Sequence, residues 1–157
     1  MDTPLKSRPA PGPISTLKAR HRTAILGSLT IPGRAEEVSG ARAFITRTLA
    51  ATAKGRRVDS DAATLLTSEL ITNAILHTTS GTADGTVTIV VIDVPDGVLI
   101  EVVDDGSAGT PVVKGDLFAP DGHGLYLVQQ LAAQWGYLRG QAGTTVWFHL
   151  AAEGRDG

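Results

Sequence analysis

The amino-acid sequence predicts an α+β fold, a two-layer sandwich with helices on one face of a mixed, mostly antiparallel sheet. Three observations point there. Apolar residues recur at gaps of three and four over residues 35–53, the period of an amphipathic helix. Two runs, Thr86 to Val94 and Val98 to Val103, flank Pro95-Asp96-Gly97, which is turn chemistry, so they form a hairpin. The chain as a whole reads strand, helix, helix, hairpin, helix, hairpin.

Each element has its own signal. Residues 1–21 hold Pro4, Pro9, Pro11 and Pro13 and are expected to be a flexible tail. The folded domain is expected over 22–152, with 153–157 as a short tail. Residues 22–31 mix β-branched and apolar side chains and stop at Pro32-Gly33, as an edge strand does. Val38, Ala41, Phe44, Ile45, Leu49 and Ala53 mark the first helix, with Lys54-Gly55 as its glycine-capped end. Asp59 or Ser60 caps a second helix running to about His77. Residues 104–121, rich in Gly, Asp and Pro, form a long loop, and loops of that length in a compact domain are usually functional. Gly124 to Trp135 is a third helix with Leu125, Val128, Leu131 and Ala132 on one face. Tyr137-Leu138 and Thr145 to Leu150 close the chain as a hairpin around Gly140 to Gly143.

Composition narrows the function classes. A chain of 157 residues suggests one domain. With 42% hydrophobic and 19% charged residues it can bury a real core. The formal charge of -2 gives no electrostatic basis for direct nucleic-acid binding. There is no cysteine, so disulfides and thiolate chemistry are excluded. No apolar run approaches the ~18–20 residues that span a bilayer, and MDTPLKSRPAPGP lacks the apolar core of a secretory signal, so a cytoplasmic protein is expected.

Three segments carry chemistry. In LLTSELITNAILH, Glu69 and Asn73 are four residues apart and project from one helix face, which also holds Ala62, Leu66 and Leu76. Burying such groups unpaired costs a few kcal/mol each, about the size of a lost hydrogen bond or more. The amide oxygen of Asn73 can ligate Mg²⁺, and Glu69 can orient or deprotonate a hydroxyl. The other reading is an exposed polar pair on the outside of the helix. In EVVDDGSAG, a strand ends in Asp104-Asp105-Gly106. Asp104 can accept a hydrogen bond from an adenine amino group while Gly106 lets the backbone approach a flat base; a plain Asp-Gly turn is the other reading. Asp121-Gly122-His123-Gly124-Leu125 stands directly before a helix. Glycines there make an anion site from free N–H groups and the helix dipole, or else an ordinary loop. Leu127 replaces the third glycine of a dinucleotide fingerprint, and no Gly-Lys-Ser/Thr follows, so neither standard phosphate loop is present.

The order of these segments, with GHGLYLVQQLAAQWG and GTTVWFHL, resembles the N, G1 and G2 boxes of the Bergerat-type ATPases. It is most similar to the small anti-sigma-factor serine/threonine kinases of bacteria, over about residues 22–150. The resemblance implies ATP and Mg²⁺ as ligands. It implies Glu69 as catalytic glutamate and Asn73 as magnesium ligand. It implies Asp104 and Gly106 at the adenine, Gly122, His123, Gly124 and Leu125 at the phosphates, and Thr145 near the base on the last strand. The sequence departs from the family's pattern in several places: many relatives carry Arg or another residue at position 123 and Lys at position 144, Ala108 precedes Gly109 so that the second glycine of the G1 box is displaced, and the loop from Ser107 to Asp121 is short. The partners it implies are a sigma factor, an anti-sigma-factor antagonist and a second copy in a homodimer.

Two further functions compete: a catalytically inactive nucleotide-binding module that engages partners, and a histidine-kinase catalytic domain. No phosphoacceptor-histidine helix precedes the domain, which disfavours the latter. His77 suits the C-terminal end of its helix by dipole and capping, or a phosphate one turn after Asn73. Trp135 and Trp147 read as core or rim aromatics, and Arg56-Arg57 as a solvated loop.

Overall fold

A computed structural model describes residues 24–77, 81–105, 128, 130–140 and 143–154 of the chain. The expected tail at 1–21 and residues 106–127, which hold most of the expected loop 104–121 and the start of the expected third helix, lie outside the described residues. Strand β1 (Ala24–Pro32) leads through a 3-10 turn at Ala35–Glu37 into helix α1 (Val38–Ala50). A second 3-10 turn at Gly55–Arg57 precedes helix α2 (Ser60–His77). Strands β2 (Thr86–Val94), β3 (Gly97–Val103), β4 (Gln134–Arg139) and β5 (Thr144–Ala151) follow. The sheet is five-stranded in the order β1-β2-β3-β5-β4, and every pairing among the described residues is antiparallel. The protein is an α+β sandwich. No helix of the described residues is long and apolar enough to cross a membrane.

Register assigns the two faces of the sheet. Residues paired across an antiparallel sheet share a face, and the faces alternate along each strand. One face carries Val87, Ile89, Val91, Val98, Ile100, Val102, Val146, Phe148 and Leu150. These join Ala41, Phe44, Ile45 and Leu49 of α1 and Ala63, Leu66, Leu70 and Ile71 of α2 in one core. β1 fits over α1 because Gly27 has no side chain: a Cβ there would stand 3.1 Å from the Phe44 ring. A bulge between Ile25 and Gly27 accompanies this approach. The opposite face carries a smaller cluster of Ile92, Val94, Leu99 and Trp147.

Local chemistry explains the element ends, and some differ from expectation. Asp59 caps α2, its carboxylate Oδ1 accepting the Ala62 N–H at 3.0 Å. Helix α1 stops at Ala50 rather than Ala53. Gly55 is no left-handed cap, since among the described residues only Gly143 and Gly154 have positive φ. It is glycine because a Cβ would come within 2.3 Å of the Leu49 carbonyl oxygen. The β2–β3 hairpin turns at Pro95-Asp96, and Gly97 already pairs with Val94. Gly97 answers a close approach, its notional Cβ lying 2.0 Å from the Leu150 carbonyl oxygen.

The third helix ends early. Residues 128, 130 and 131 are helical, but Trp135 belongs to β4. The Ala133 N–H already donates to the His149 carbonyl at 2.8 Å, and Trp135 pairs with Phe148, so the sheet claims this stretch. Val128 is buried in the helix-side core, whereas Leu131 is 44% exposed.

The pole holding the β2–β3 turn is cross-linked. Lys54 Nζ, in the α1–α2 link, stands 2.9 Å from Asp93 Oδ1 and donates to the Val94 carbonyl. The Ala152 N–H donates to the Asp96 carbonyl, and the Glu153 N–H to the Arg57 carbonyl, each at 2.9 Å.

His149 gives a pH test of packing on the helix-free face. Burial holds its pKa below the ordinary 6.5, outweighing the raising effect of the Asp96 carboxylate. The unfolded chain therefore binds more protons below about 6.5, so stability is fully present above that pH and declines as pH falls towards the folded value. His149→Gln should flatten the fall in urea midpoint between pH 7.5 and 5.5. An unchanged slope in the variant would show that His149 does not contribute. Gly97→Ala should lower the urea midpoint by about 1–3 kcal/mol equivalent without changing the m-value, as overpacking does.

Candidate functional site

Four chain points meet at the pole opposite the β2–β3 turn: the end of α2, the start of β2, the end of β3 and the start of β5. Beyond α2, Gly81 lies against the helix: a Cβ there would stand 2.3 Å from the Ile75 carbonyl oxygen.

Asn73 is buried at 8% exposure. Its side-chain nitrogen is shielded from solvent and has no hydrogen-bond partner among the described residues. A buried amide left unpaired costs about 1–3 kcal/mol. Glu69 is half-buried one turn earlier on the same helix face. The exposed-pair reading therefore fails for Asn73. Ala62 and Leu66 of that face are buried as expected, but Leu76 is 68% exposed. The stripe thus opens to solvent at the end of α2, and Asn73 lies at the margin.

The two neighbouring aspartates have separate partners. Asp104 is buried at 6% exposure on the helix side of the sheet. Its main-chain N–H donates to the Thr144 carbonyl at 2.9 Å, and its Oδ1 accepts the Thr144 N–H at 3.1 Å. Asp105 is exposed, and its Oδ2 accepts the Thr86 N–H at 2.9 Å. Asp104 is thus fixed by β5 and Asp105 by β2.

Gly143 makes this possible. A Cβ there would lie 1.9 Å from the Asp104 carbonyl oxygen. Thr144 is buried at 2% exposure, and its hydroxyl has no partner among the described residues. Thr145, expected beside the base, pairs with Val103 and Leu138 and shares their face, opposite Asp104 and the helices. The polar neighbour of Asp104 is Thr144. Strand alternation is the cause: one residue along a strand reverses the side. The Gly-Thr step before the strand was the available signal, because the glycine marks where the backbones touch. Gly106, Gly122, His123, Gly124 and Leu125 lie outside the described residues, and so does the side chain of His77. Among the described residues no cluster of three or more His, Cys, Asp or Glu could hold a metal by itself. A cation here would need oxygen from a bound ligand as well as from the chain.

This geometry makes Gly143→Ala a sharp test. It should destabilise the protein by at least about 2 kcal/mol, in the range of overpacked sites. Gly140→Ala should stay within about 0.5 kcal/mol, as surface changes do, because its added Cβ would meet only the Gly143 carbonyl at an ordinary 3.6 Å. Equal urea midpoints for the two variants would contradict the close approach.

Comparison with known proteins fits this architecture. No curated protein matches the chain. The family model for the histidine kinase-like ATPase domain matches residues 31–150, from the end of β1 to the end of β5. That span takes in both helices, the antiparallel sheet and the pole where Asn73 and Asp104 lie. The chain belongs to the histidine kinase-like ATPase domain family.

Proposed function

We propose that this protein is an anti-sigma factor with serine/threonine protein kinase activity towards an anti-sigma-factor antagonist, acting in the cytoplasm with ATP and Mg²⁺. Family membership supports ATP binding and a regulatory role. The observation that carries the residue assignment is the burial of both motif residues, a carboxylate at Asp104 and, at Asn73, an amide whose nitrogen has no partner among the described residues. The motif order Glu-x-x-x-Asn, Asp-x-Gly, Gly-x-Gly-Leu supports the kinase reading.

These residues fit the ligand. Asp104, locked by Thr144, accepts from the exocyclic amino group of adenine. Asn73 offers its amide oxygen to Mg²⁺, and its nitrogen to a ligand oxygen. Gly122 and Gly124 offer main-chain N–H groups to phosphates, with His123 and Leu125 beside them. Glu69 accepts the proton of the antagonist's hydroxyl. When bound, ATP with Mg²⁺ supplies the phosphoryl group and neutralises charge, and the protein's part is positioning. The sigma factor and the antagonist are the expected partners. A second copy can pair along β1, an edge strand of the sheet.

Three measurements test this. Calorimetry should give ATP at least about tenfold tighter binding than GTP, because guanine would set a carbonyl against Asp104 and leave two acceptors facing each other. Asp104→Ala should remove most of that preference, and equal affinity for both nucleotides in the wild type would remove the adenine assignment. Mg²⁺-ATP at 100 times Kd should stabilise the fold by about 2.7 kcal/mol, and Asn73→Ala should lose the Mg²⁺-dependent share of that gain. Glu69→Gln should keep binding and abolish phosphate transfer from labelled ATP to the antagonist. Binding without transfer in the wild type would leave a nucleotide-dependent partner-binding module.

A further inference from the structure

The chain keeps working after its last strand. Beyond Ala151, which pairs with Gly97, residues 152 and 153 cross from the sheet to the link between the helices. The Ala152 N–H donates to the Asp96 carbonyl at the β2–β3 turn, and Ala152 packs against the helix-side core. The Glu153 N–H donates to the Arg57 carbonyl at 2.9 Å, and the Arg57 guanidinium donates back to the Glu153 carbonyl at 3.2 Å. Arg57, expected in a solvated loop, is thus a clamp, and both bonds engage the main chain of residue 153. Gly154 stands clear, since a Cβ there would meet nothing within 4 Å.

We infer that residues 152–153 are a strap that sets the tilt of α2 from the pole opposite Asn73, and so places Asn73. Position is the first argument. Arg57 stands just before the root of α2: Val58 is buried in the core and Asp59 caps the helix. The Lys54 ties to Asp93 and Val94 hold the same link further from the helix. Grip is the second. The large core side chains of α2 are Leu66, Leu70 and Ile71, at its middle, while towards its two ends the core contacts are Ala63 and Ala74. Small side chains bury little area and resist tilting least. The helix therefore has a fulcrum at its middle and needs an outside hold at its root.

The lever follows from helix geometry. At 1.5 Å per residue, Ser60 is about 13 Å from the fulcrum and Asn73 about 7 Å beyond it. A shift of about 1 Å at the root thus moves Asn73 by about 0.5 Å the other way. Glu69 is at the fulcrum and scarcely moves. Asp104 is held by Thr144 and does not follow the helix. The strap acts on Asn73 selectively, which makes the end of the chain a control point for that side chain.

The test uses the full chain without nucleotide. Asn73 is the sole asparagine, so ¹⁵N labelling of asparagine side chains gives one carboxamide signal. Glu153→Pro removes the N–H that Arg57 accepts, whereas Glu153→Ala keeps every main-chain bond. The proline variant should move the Asn73 signal and speed hydrogen exchange at the Val58, Ala62 and Ala63 amides several-fold. Ile100 and Phe148 should keep their protection, and the alanine variant should match the wild type. An unmoved Asn73 signal in Glu153→Pro, or the same change in Glu153→Ala, overturns the inference. Should the proline variant not fold, Arg57→Ala drops the guanidinium bond alone, and an unmoved signal there overturns it equally. The role of Asn73 as magnesium ligand rests on the function proposed above, but its placement by the strap does not. In Glu153→Pro the Mg²⁺-dependent share of ATP affinity should fall several-fold while the ATP-to-GTP ratio is kept. A wild type that binds no Mg²⁺-ATP would remove the functional reading, and the Asn73 signal would still decide on the strap.

Discussion

The reciprocal hydrogen bonds between Asp104 and Thr144 hold the working end of this molecule together. β3 delivers Asp104 one residue beyond its last paired position, and β5 begins at the residue that receives it. The main chain of Asp104 continues the ladder while its side chain closes back on the same partner. That double tie fixes a buried carboxylate where a free strand end would fray. The bare backbone of Gly143 is its condition. Asp105 then turns to β2, so two adjacent carboxylates clamp the strands on either side of β3. Without this arrangement β3 would end in solvent and Asp104 would have no defined direction.

α2 supplies the other half of the site through a different constraint. Its buried residues run round much of the helix: Leu66, Leu70 and Ile71 join the core, and Thr67, Ser68 and Asn73 are buried beside them. The helix is therefore buried along more of its circumference than an ordinary surface helix. That is why a carboxamide can be shielded without lying in the core. The apolar packing beneath it sets its position, and the missing partner of its nitrogen sets what it lacks.

Much of this was legible in the sequence, for identifiable reasons. Glycine and proline punctuation, strand alternation and the Asp59 cap located β1, β2, β3, α1 and α2, because each depends on neighbouring residues. The failures share a cause. Trp135 lies at the end of a helical pattern, but Phe148 and His149, more than ten residues later, draw it into the sheet. Thr144 and Thr145 are identical in kind, and only register decides which faces Asp104. Gly97 reads as a turn residue, yet it is required by the Leu150 carbonyl, distant in the chain. Pairwise contacts of long range leave little trace in a local window.

The cross-links at the β2–β3 pole give the molecule a mechanical direction. Lys54 ties the helix link to Asp93 and Val94, and Asp96 and Arg57 receive the chain beyond β5. Strand turn, helix link and C-terminal strand thus form one braced block. At the other pole the described ties include those of Asp104 and Asp105, the bond from the Gly33 N–H to the Gly85 carbonyl and that from the Gly140 N–H to the Gly143 carbonyl. Ties between segments distant in the chain raise the free energy of local opening. The braced block therefore opens only when strand turn, helix link and C-terminal strand part together, and a partner resting on it would meet a surface that scarcely changes.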